Sequence, residues 1–184
     1  MPAMSALDGF SVISRRRFLH TALAASGVLL AGGGGLLALR GSAPSVSGLA
    51  RLSDHQYRTL RQLALALFPP GGAFAFGADR VDLARAFDTF LRDEPEHNVR
   101  DLTRALTWLE YGPVLYDHRL TTFSHLTEDE RLAHFESWAA SDDLLRRQVA
   151  VAFRKFMSLV FYDTPEVWPS IGYEGPRFRK GNAP

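Results

Sequence analysis

Apolar residues recur at intervals of three and four in five separate stretches of this chain, and prolines fall between several of them. That spacing lines apolar side chains along one face of an α-helix, and a proline lacks the N–H that a helix interior requires. The pattern therefore permits helices of limited length joined by turns. Ser53 opens the first stretch, with Gln56 three residues later as a capping box. Tyr57, Leu60, Leu63, Ala64, Leu67 and Phe68 follow on one face, and Pro69-Pro70 ends it. A Gly/Ala/Phe loop runs to Asp79. The second stretch carries Leu83, Ala84, Phe87, Phe90 and Leu91 and stops before Pro95. The third places Val99, Leu102, Leu106 and Leu109 in register beside Trp108 and is expected to break at Gly112-Pro113. Thr127 to Glu130 forms a second capping box leading Leu132, Phe135 and Trp138 into the fourth. The fifth is the longest, from about Asp142 to Phe161, with Leu145, Val149, Ala152, Phe153, Phe156, Met157, Val160 and Phe161 on its stripe. No segment sustains the two-residue alternation of a half-buried strand. The expected fold class is all-α, a small helical bundle of about five helices with an irregular aromatic C-terminal tail.

Composition narrows the chemistry. The chain has no cysteine, which excludes disulfides, Cys-ligated zinc, iron–sulfur clusters, covalent c-type haem and a thiol nucleophile. The formal net charge of +1 conceals an asymmetry, because four of the 21 basic residues and one of the 20 acids precede residue 41. The remainder is acidic by two charges, so no basic field is available for phosphates and no nucleic-acid partner is expected. The chain's thirteen phenylalanines, eleven of them after residue 41, are a heavy load for a body of this size, and some aromatic surface is expected to stay uncovered until a partner arrives.

The N-terminal region reads as an address. Ser14-Arg15-Arg16-Arg17-Phe18-Leu19-His20 precedes an apolar run from Thr21 to Leu39, then Arg40 and the small-residue stretch Gly41-Ser42-Ala43-Pro44-Ser45. Charged, apolar and small-residue segments in that order make an export signal. Consecutive arginines followed by Phe18 and Leu19 resemble the twin-arginine signal, with His20 where a lysine is usual. Phe18 to Leu39 is 22 residues, long enough to cross a bilayer as an ordinary membrane helix. Gly32 to Gly35 argue against that, since each glycine costs roughly 1 kcal/mol relative to alanine in a helix. Cleavage after Ala43 is disfavoured by Pro44, and Gly48-Leu49-Ala50 offers a second candidate; an uncleaved signal would leave the chain tethered to the membrane. The expected organisation is an N-terminal region 1–13, the signal at 14–43, a linker at 44–52, a helical domain at 53–176 and a terminal tail at 177–184.

Candidates for catalysis are weak. Glu94-Pro95-Glu96-His97 has the Glu-x-x-His spacing of di-iron bundles, but it occurs once and contains a proline. Glu130 and His134 read as a surface pair on the fourth helix. His118 and His125 flank Thr121-Thr122-Phe123 and would have to share a pocket to hold haem. The Gly-x-Ser-x-Gly and dinucleotide-binding patterns are missing. No catalytic or metal-binding residues are assigned, and no cofactor is expected on this chain.

The most specific stretch of the body is its C-terminal segment, Phe161-Tyr162-Asp163-Thr164-Pro165-Glu166-Val167-Trp168-Pro169-Ser170-Ile171-Gly172-Tyr173-Glu174-Gly175-Pro176. Pro165, Pro169 and Pro176 forbid a continuous helix. Trp168, Ile171 and Tyr173 then either fold back over the bundle or form a docking strip, Trp and Tyr being common interface anchors.

Phe161-Tyr162, Pro165-Glu166-Val167-Trp168, Ile171-Gly172-Tyr173 and Gly175-Pro176, taken with the twin-arginine pattern, resemble the gluconate 2-dehydrogenase subunit 3 family. Leu52-Ser53, the helix ending Leu67-Phe68-Pro69 and the helix from Leu83 to Leu91 are similar to the start of that family's domain. The resemblance covers roughly residues 50–176; the loop Pro69–Asp79 departs from it by being more apolar. It implies a non-catalytic accessory subunit, exported to the periplasm or the outer face of the cytoplasmic membrane. The implied partners are a large FAD-carrying dehydrogenase subunit for sugar or alcohol substrates, a cytochrome c subunit or another electron acceptor, and the twin-arginine translocase. Ser14, Arg15, Arg16, Phe18 and Leu19 would form the export signal. Phe161, Tyr162, Pro165, Trp168, Ile171, Tyr173 and Pro176 would meet the partner. The alternative is a stand-alone exported helical binding protein, holding a non-covalent haem or a metal.

Overall fold

Ser53 and Thr127 begin their helices as the two capping boxes predict, in a computed structural model that describes residues 39–71 and 76–175. Residues 1–41 and 42–184 are separate units, and the second is described here. The signal residues Ser14, Arg15, Arg16, Phe18 and Leu19 lie outside the described residues, as do Pro176 and the loop positions 72–75.

Five α-helices are described in this unit: α1 Asp54–Leu67, α2 Leu83–Leu91, α3 Glu96–Tyr116, α4 Glu128–Ala139 and α5 Leu144–Asp163. Short 3-10 turns at Phe123–His125 and Trp168–Ile171 complete the order, and no strand occurs among the described residues. The all-α class is therefore observed. Helix α1 is central and packs on α2, α3, α4 and the Phe123–His125 turn, while α5 closes over α2 and α4.

The apolar stripes become the core: Leu60, Leu63, Phe87, Leu91, Leu106, Leu109, Phe135, Trp138, Phe153, Met157 and Phe161 are all fully buried. Aromatic rings carry the α2–α5 contact. Phe87 meets Phe156 edge-on at 4.7 Å, and Phe90 meets the same ring at 4.4 Å. Phe68, just past α1, stacks on Phe161 at 4.4 Å. Among the described residues the exposed aromatic side chains are Tyr162 and Tyr173, and no phenylalanine is exposed. The uncovered aromatic surface is thus tyrosine, whose hydroxyl tolerates water.

Several expectations are corrected. Helix α3 does not break at Gly112-Pro113; it continues to Tyr116 with Pro113 inside it. A staple spans the proline: the Trp108 indole N–H donates to the Tyr116 hydroxyl at 3.0 Å. Tyr116 is held further by Arg146, whose guanidinium lies 4.5 Å from the ring centre, and by an edge contact with Trp138. These contacts compensate for the backbone hydrogen bond that Pro113 cannot donate. The helix then ends at Asp117, and His118 takes the left-handed conformation at φ 54°, the usual stop just past a helix. Leu132 is exposed, and the buried side of α4 is made by His134, Phe135 and Trp138. The fifth helix starts at Leu144 on an Asp143 cap, two residues later than expected, and runs to Asp163.

Residues 44–52 do not hang free. The Asp88 carboxylate on α2 accepts the backbone N–H groups of Ala50, Arg51 and Leu52 at 2.6, 2.9 and 2.8 Å. Leu52 is buried beneath them. This segment belongs to the folded body.

Candidate functional site

Helix α5 is amphipathic with one break in the rule. Val149, Phe153, Phe156, Met157 and Phe161 face inward, as its stripe predicts. On the other side Val151, Leu159 and Tyr162 are also exposed, with Leu159 58% accessible. Arg154, Lys155, Ser158, Leu159, Tyr162 and Asp163 line an open, shallow depression along this outer face. A basic pair, an acid and an apolar centre thus lie on one helix surface. Arg154 is fixed in place, donating to Glu136 at 2.7 Å and lying 5.5 Å from the centre of the Phe135 ring.

The tail extends this face. After Asp163 the chain turns, buries Val167 completely and forms the Trp168–Ile171 turn. The Trp168 indole N–H donates to the Tyr162 carbonyl at 3.0 Å, and its ring meets Tyr173 edge-on at 5.4 Å. Gly172 and Gly175 both take positive φ, 69° and 96°. A Cβ on Gly175 would lie 2.8 Å from the Trp168 ring, so only glycine allows the chain to cross the indole this closely. The tail is a built loop bracketed by one tryptophan.

The sequence-predicted contact residues therefore divide. Phe161 is core. Trp168 is half-buried and holds the loop together, while Tyr162, Pro165, Ile171 and Tyr173 are exposed. The two readings of the tail hold at different residues: it folds back through Val167 and Trp168 and presents Ile171 and Tyr173 outward. Val151 and Leu159 were not singled out by sequence, although their eight-residue spacing and the three residues from Leu159 to Tyr162 already form a second stripe on α5.

The remaining candidates resolve as structural groups. His134 is not half of a surface pair with Glu130. It is 4% exposed, and its Nδ1 lies 2.6 Å from the Asp117 carboxylate. Its Nε2 is buried without a hydrogen bond, facing the Gly112 backbone and the Trp138 ring, where a Cβ on Gly112 would lie 2.5 and 2.8 Å away. This Asp–His pair has dyad geometry, but Nε2 engages no hydroxyl. Burial lowers the His134 pKa; the Asp117 hydrogen bond and charge oppose that shift, and Arg119 and Arg146 add to it. Glu130 instead caps α4 and pairs with Arg119 at 2.7 Å. The Thr127 backbone N–H, then the Arg119 and Thr127 side chains, hold its carboxyl down at about 2.

A second buried acid, Glu110, accepts from the Thr59 hydroxyl at 2.9 Å and from the Ser124 N–H and hydroxyl at 3.1 and 2.7 Å. It joins α1, α3 and the Phe123–His125 turn. Glu94 precedes α3 and accepts from Asn98, and Pro95 caps that helix, so Glu94 and His97 do not share a helical face. His118 and His125 are exposed, the latter 2.9 Å from the Thr122 hydroxyl through Nδ1. Among the described residues no cluster of three His, Asp or Glu side chains is arranged to hold a metal ion, and no helix is long and apolar enough to cross a membrane. Comparison with protein-family models, curated proteins and solved structures finds no match to this chain.

Proposed function

We propose that this chain is the non-catalytic small subunit of an exported flavin-dependent dehydrogenase acting on a gluconate-, sugar- or alcohol-type substrate. It binds the FAD-carrying large subunit and supplies the twin-arginine signal for the pair. The observation that carries the reading is the exposure of Leu159 and Tyr162 on α5 and of Ile171 and Tyr173 on a tail that the Trp168 indole ties back to Tyr162. Exposed apolar and aromatic side chains gathered on an ordered scaffold mark protein contact sites. Twin-arginine export carries proteins already folded, and a protein built around FAD has to fold before it crosses. A small subunit docked on it would bring the address. Electrons from the flavin would pass to a cytochrome c subunit or another acceptor, outside this chain. The complex would work in the periplasm or on the outer face of the cytoplasmic membrane.

The test is affinity purification of the tagged chain from its native host, followed by mass spectrometry and a visible spectrum. A large polypeptide with flavin absorbance, recovered in near-equal amount, is the expected result. A lone protein under gentle conditions overturns the proposal, and a lone protein with a Soret band would instead favour a stand-alone haem-binding bundle.

A further inference from the structure

Two small-residue stretches precede the first helix, one ending at Ala43 and the other at Ala50. They differ in which backbone groups the fold holds. From Val46 onward the backbone is fastened to the domain at successive points. The Val46 N–H donates to Asp54 at 3.0 Å. The Ser47 carbonyl takes both terminal nitrogens of Arg85 at 3.2 Å. Gly48 turns the chain at φ 73°. Ala50, Arg51 and Leu52 then give their N–H groups to Asp88, which is itself 2% exposed. Ahead of this series the Ser42 carbonyl accepts from Arg58 at 2.9 Å; Ser42, Pro44 and Ser45 are exposed, as are Ser47, Gly48, Ala50 and Arg51, so what sets the second stretch apart is its committed N–H groups.

A processing protease reads its substrate as an extended strand, through the same main-chain N–H and C=O groups. The Gly48 turn is not extended, and the Ala50 and Arg51 N–H groups on either side of the bond to be cut are already committed to a buried carboxylate. We infer that folding withdraws residues 46–52 from signal peptidase, so that the mature chain keeps every residue from Val46 onward. This rests on the export reading above: a chain exported folded meets the peptidase with the Asp88 clamp already closed. Asp88 and Arg85 are here positioning residues for the signal junction, in addition to their place in the α2 packing.

The test compares one peptide bond in two settings. An elastase-type protease that cuts after small residues is applied to the purified full chain and to a synthetic peptide spanning residues 44–54, and mass spectrometry follows fragments that begin at Arg51. Cleavage of a folded segment tracks the fraction of time it is open, so the bond in the full chain should be cut about 100-fold or more slowly than in the peptide. Equal rates overturn the inference. Asp88→Asn should raise cutting after Ala50 about tenfold while far-UV circular dichroism stays helical; Arg85→Ala, which frees the Ser47 carbonyl and gives up the exposed Arg85 contacts with Asp82 and Tyr57, serves if that variant loses its helices. In the host, an exported chain beginning at or before Val46 supports the inference, and one beginning at Arg51 refutes it. Loss of export would leave the whole chain in the cytoplasm with the protease comparison unchanged, which separates failure of the clamp from failure of the functional reading.

Discussion

The indole N–H of Trp168 donates to the backbone carbonyl of Tyr162, 3.0 Å away and six residues earlier. That bond returns the tail to the end of α5 and separates residues that hold the tail from residues that the tail displays. Trp168→Ala removes the hydrogen bond and the surface on which Tyr173 and Gly175 rest. It should lower stability by about 1–2 kcal/mol and weaken recovery of the partner as a consequence. Tyr173→Ala should leave the melting temperature nearly unchanged and weaken the partner contact by about 2 kcal/mol, the scale of an interface hot spot. Thermal melts and co-purification of both variants check this; equal loss of stability in both would make the tail purely intramolecular.

His134 gives a pH dependence with a defined sign. The Asp117 carboxylate accepts a hydrogen bond from Nδ1–H of the neutral ring, and burial leaves Nε2 without a partner, so adding a proton there would place an unpaired N–H against Gly112 and Trp138. The folded pKa is accordingly below the ordinary value near 6.5. The unfolded chain therefore binds the proton more readily. The stabilisation is complete above the unfolded value and is lost as pH falls through it toward the folded value. The melting temperature should drop between about pH 7 and pH 5, and His134→Asn should flatten that limb. A melting temperature that rises with acidity over this range would contradict the assignment.

Gly112→Ala should destabilise, against the normal rule for helix interiors. Alanine ordinarily gains about 1 kcal/mol over glycine in a helix. Here the new methyl would meet His134 and Trp138 within 3 Å, and both side chains are buried. Overpacking costs about 1–3 kcal/mol, so the net change should be a loss. Urea denaturation of the variant measures it, with a higher midpoint as the opposing result.

Much of this fold was legible because its signals are local. Ser53 with Gln56 and Thr127 with Glu130 need only three-residue spacing to be read as helix starts, and both boxes close as expected. Gly112-Pro113 was misread because its outcome depends on Trp108, Tyr116, Trp138 and Arg146, brought together from three helices. His134 was misplaced because its partner, Asp117, lies 17 residues away on a different element. The buried acids left a trace that went unused. Asp88 follows Ala84 by four residues and precedes Leu91 by three, and Glu110 follows Leu106 by four. An acid in the apolar register of a helix signals a buried polar contact, but its partners come from elsewhere in the chain. The exposed apolar residues of α5 were partly hidden because Val151, Leu159 and Tyr162 are interleaved with Arg154, Lys155 and Asp163 on the same outer face.

Glu110 tests that last rule for buried acids. One carboxyl oxygen takes the Thr59 hydroxyl and the Ser124 N–H, and the other takes the Ser124 hydroxyl. Glu110→Gln replaces one of these acceptors with an NH2 group that would point at donors. A buried group left unsatisfied costs about 1–3 kcal/mol, and the melting temperature should fall accordingly. Ser124→Ala made together with Glu110→Gln should cost less than the sum of the two single changes, because the pair shares its hydrogen bonds.

Arg15→Lys with Arg16→Lys tests the function where sequence carries it alone. Lysine keeps the positive charge, so a general membrane signal would still work, whereas the guanidinium pair is the feature that resembles a twin-arginine signal. On the proposed function both this chain and its flavoprotein partner should then remain in the cytoplasm, still associated, because the proposed docking residues Leu159, Tyr162, Ile171 and Tyr173 lie in the separate unit formed by residues 42–184. Cell fractionation with immunodetection of both polypeptides reads the outcome. Retention of this chain with full export of the large subunit would show that the flavoprotein carries its own address, and would reduce the small subunit's role to binding.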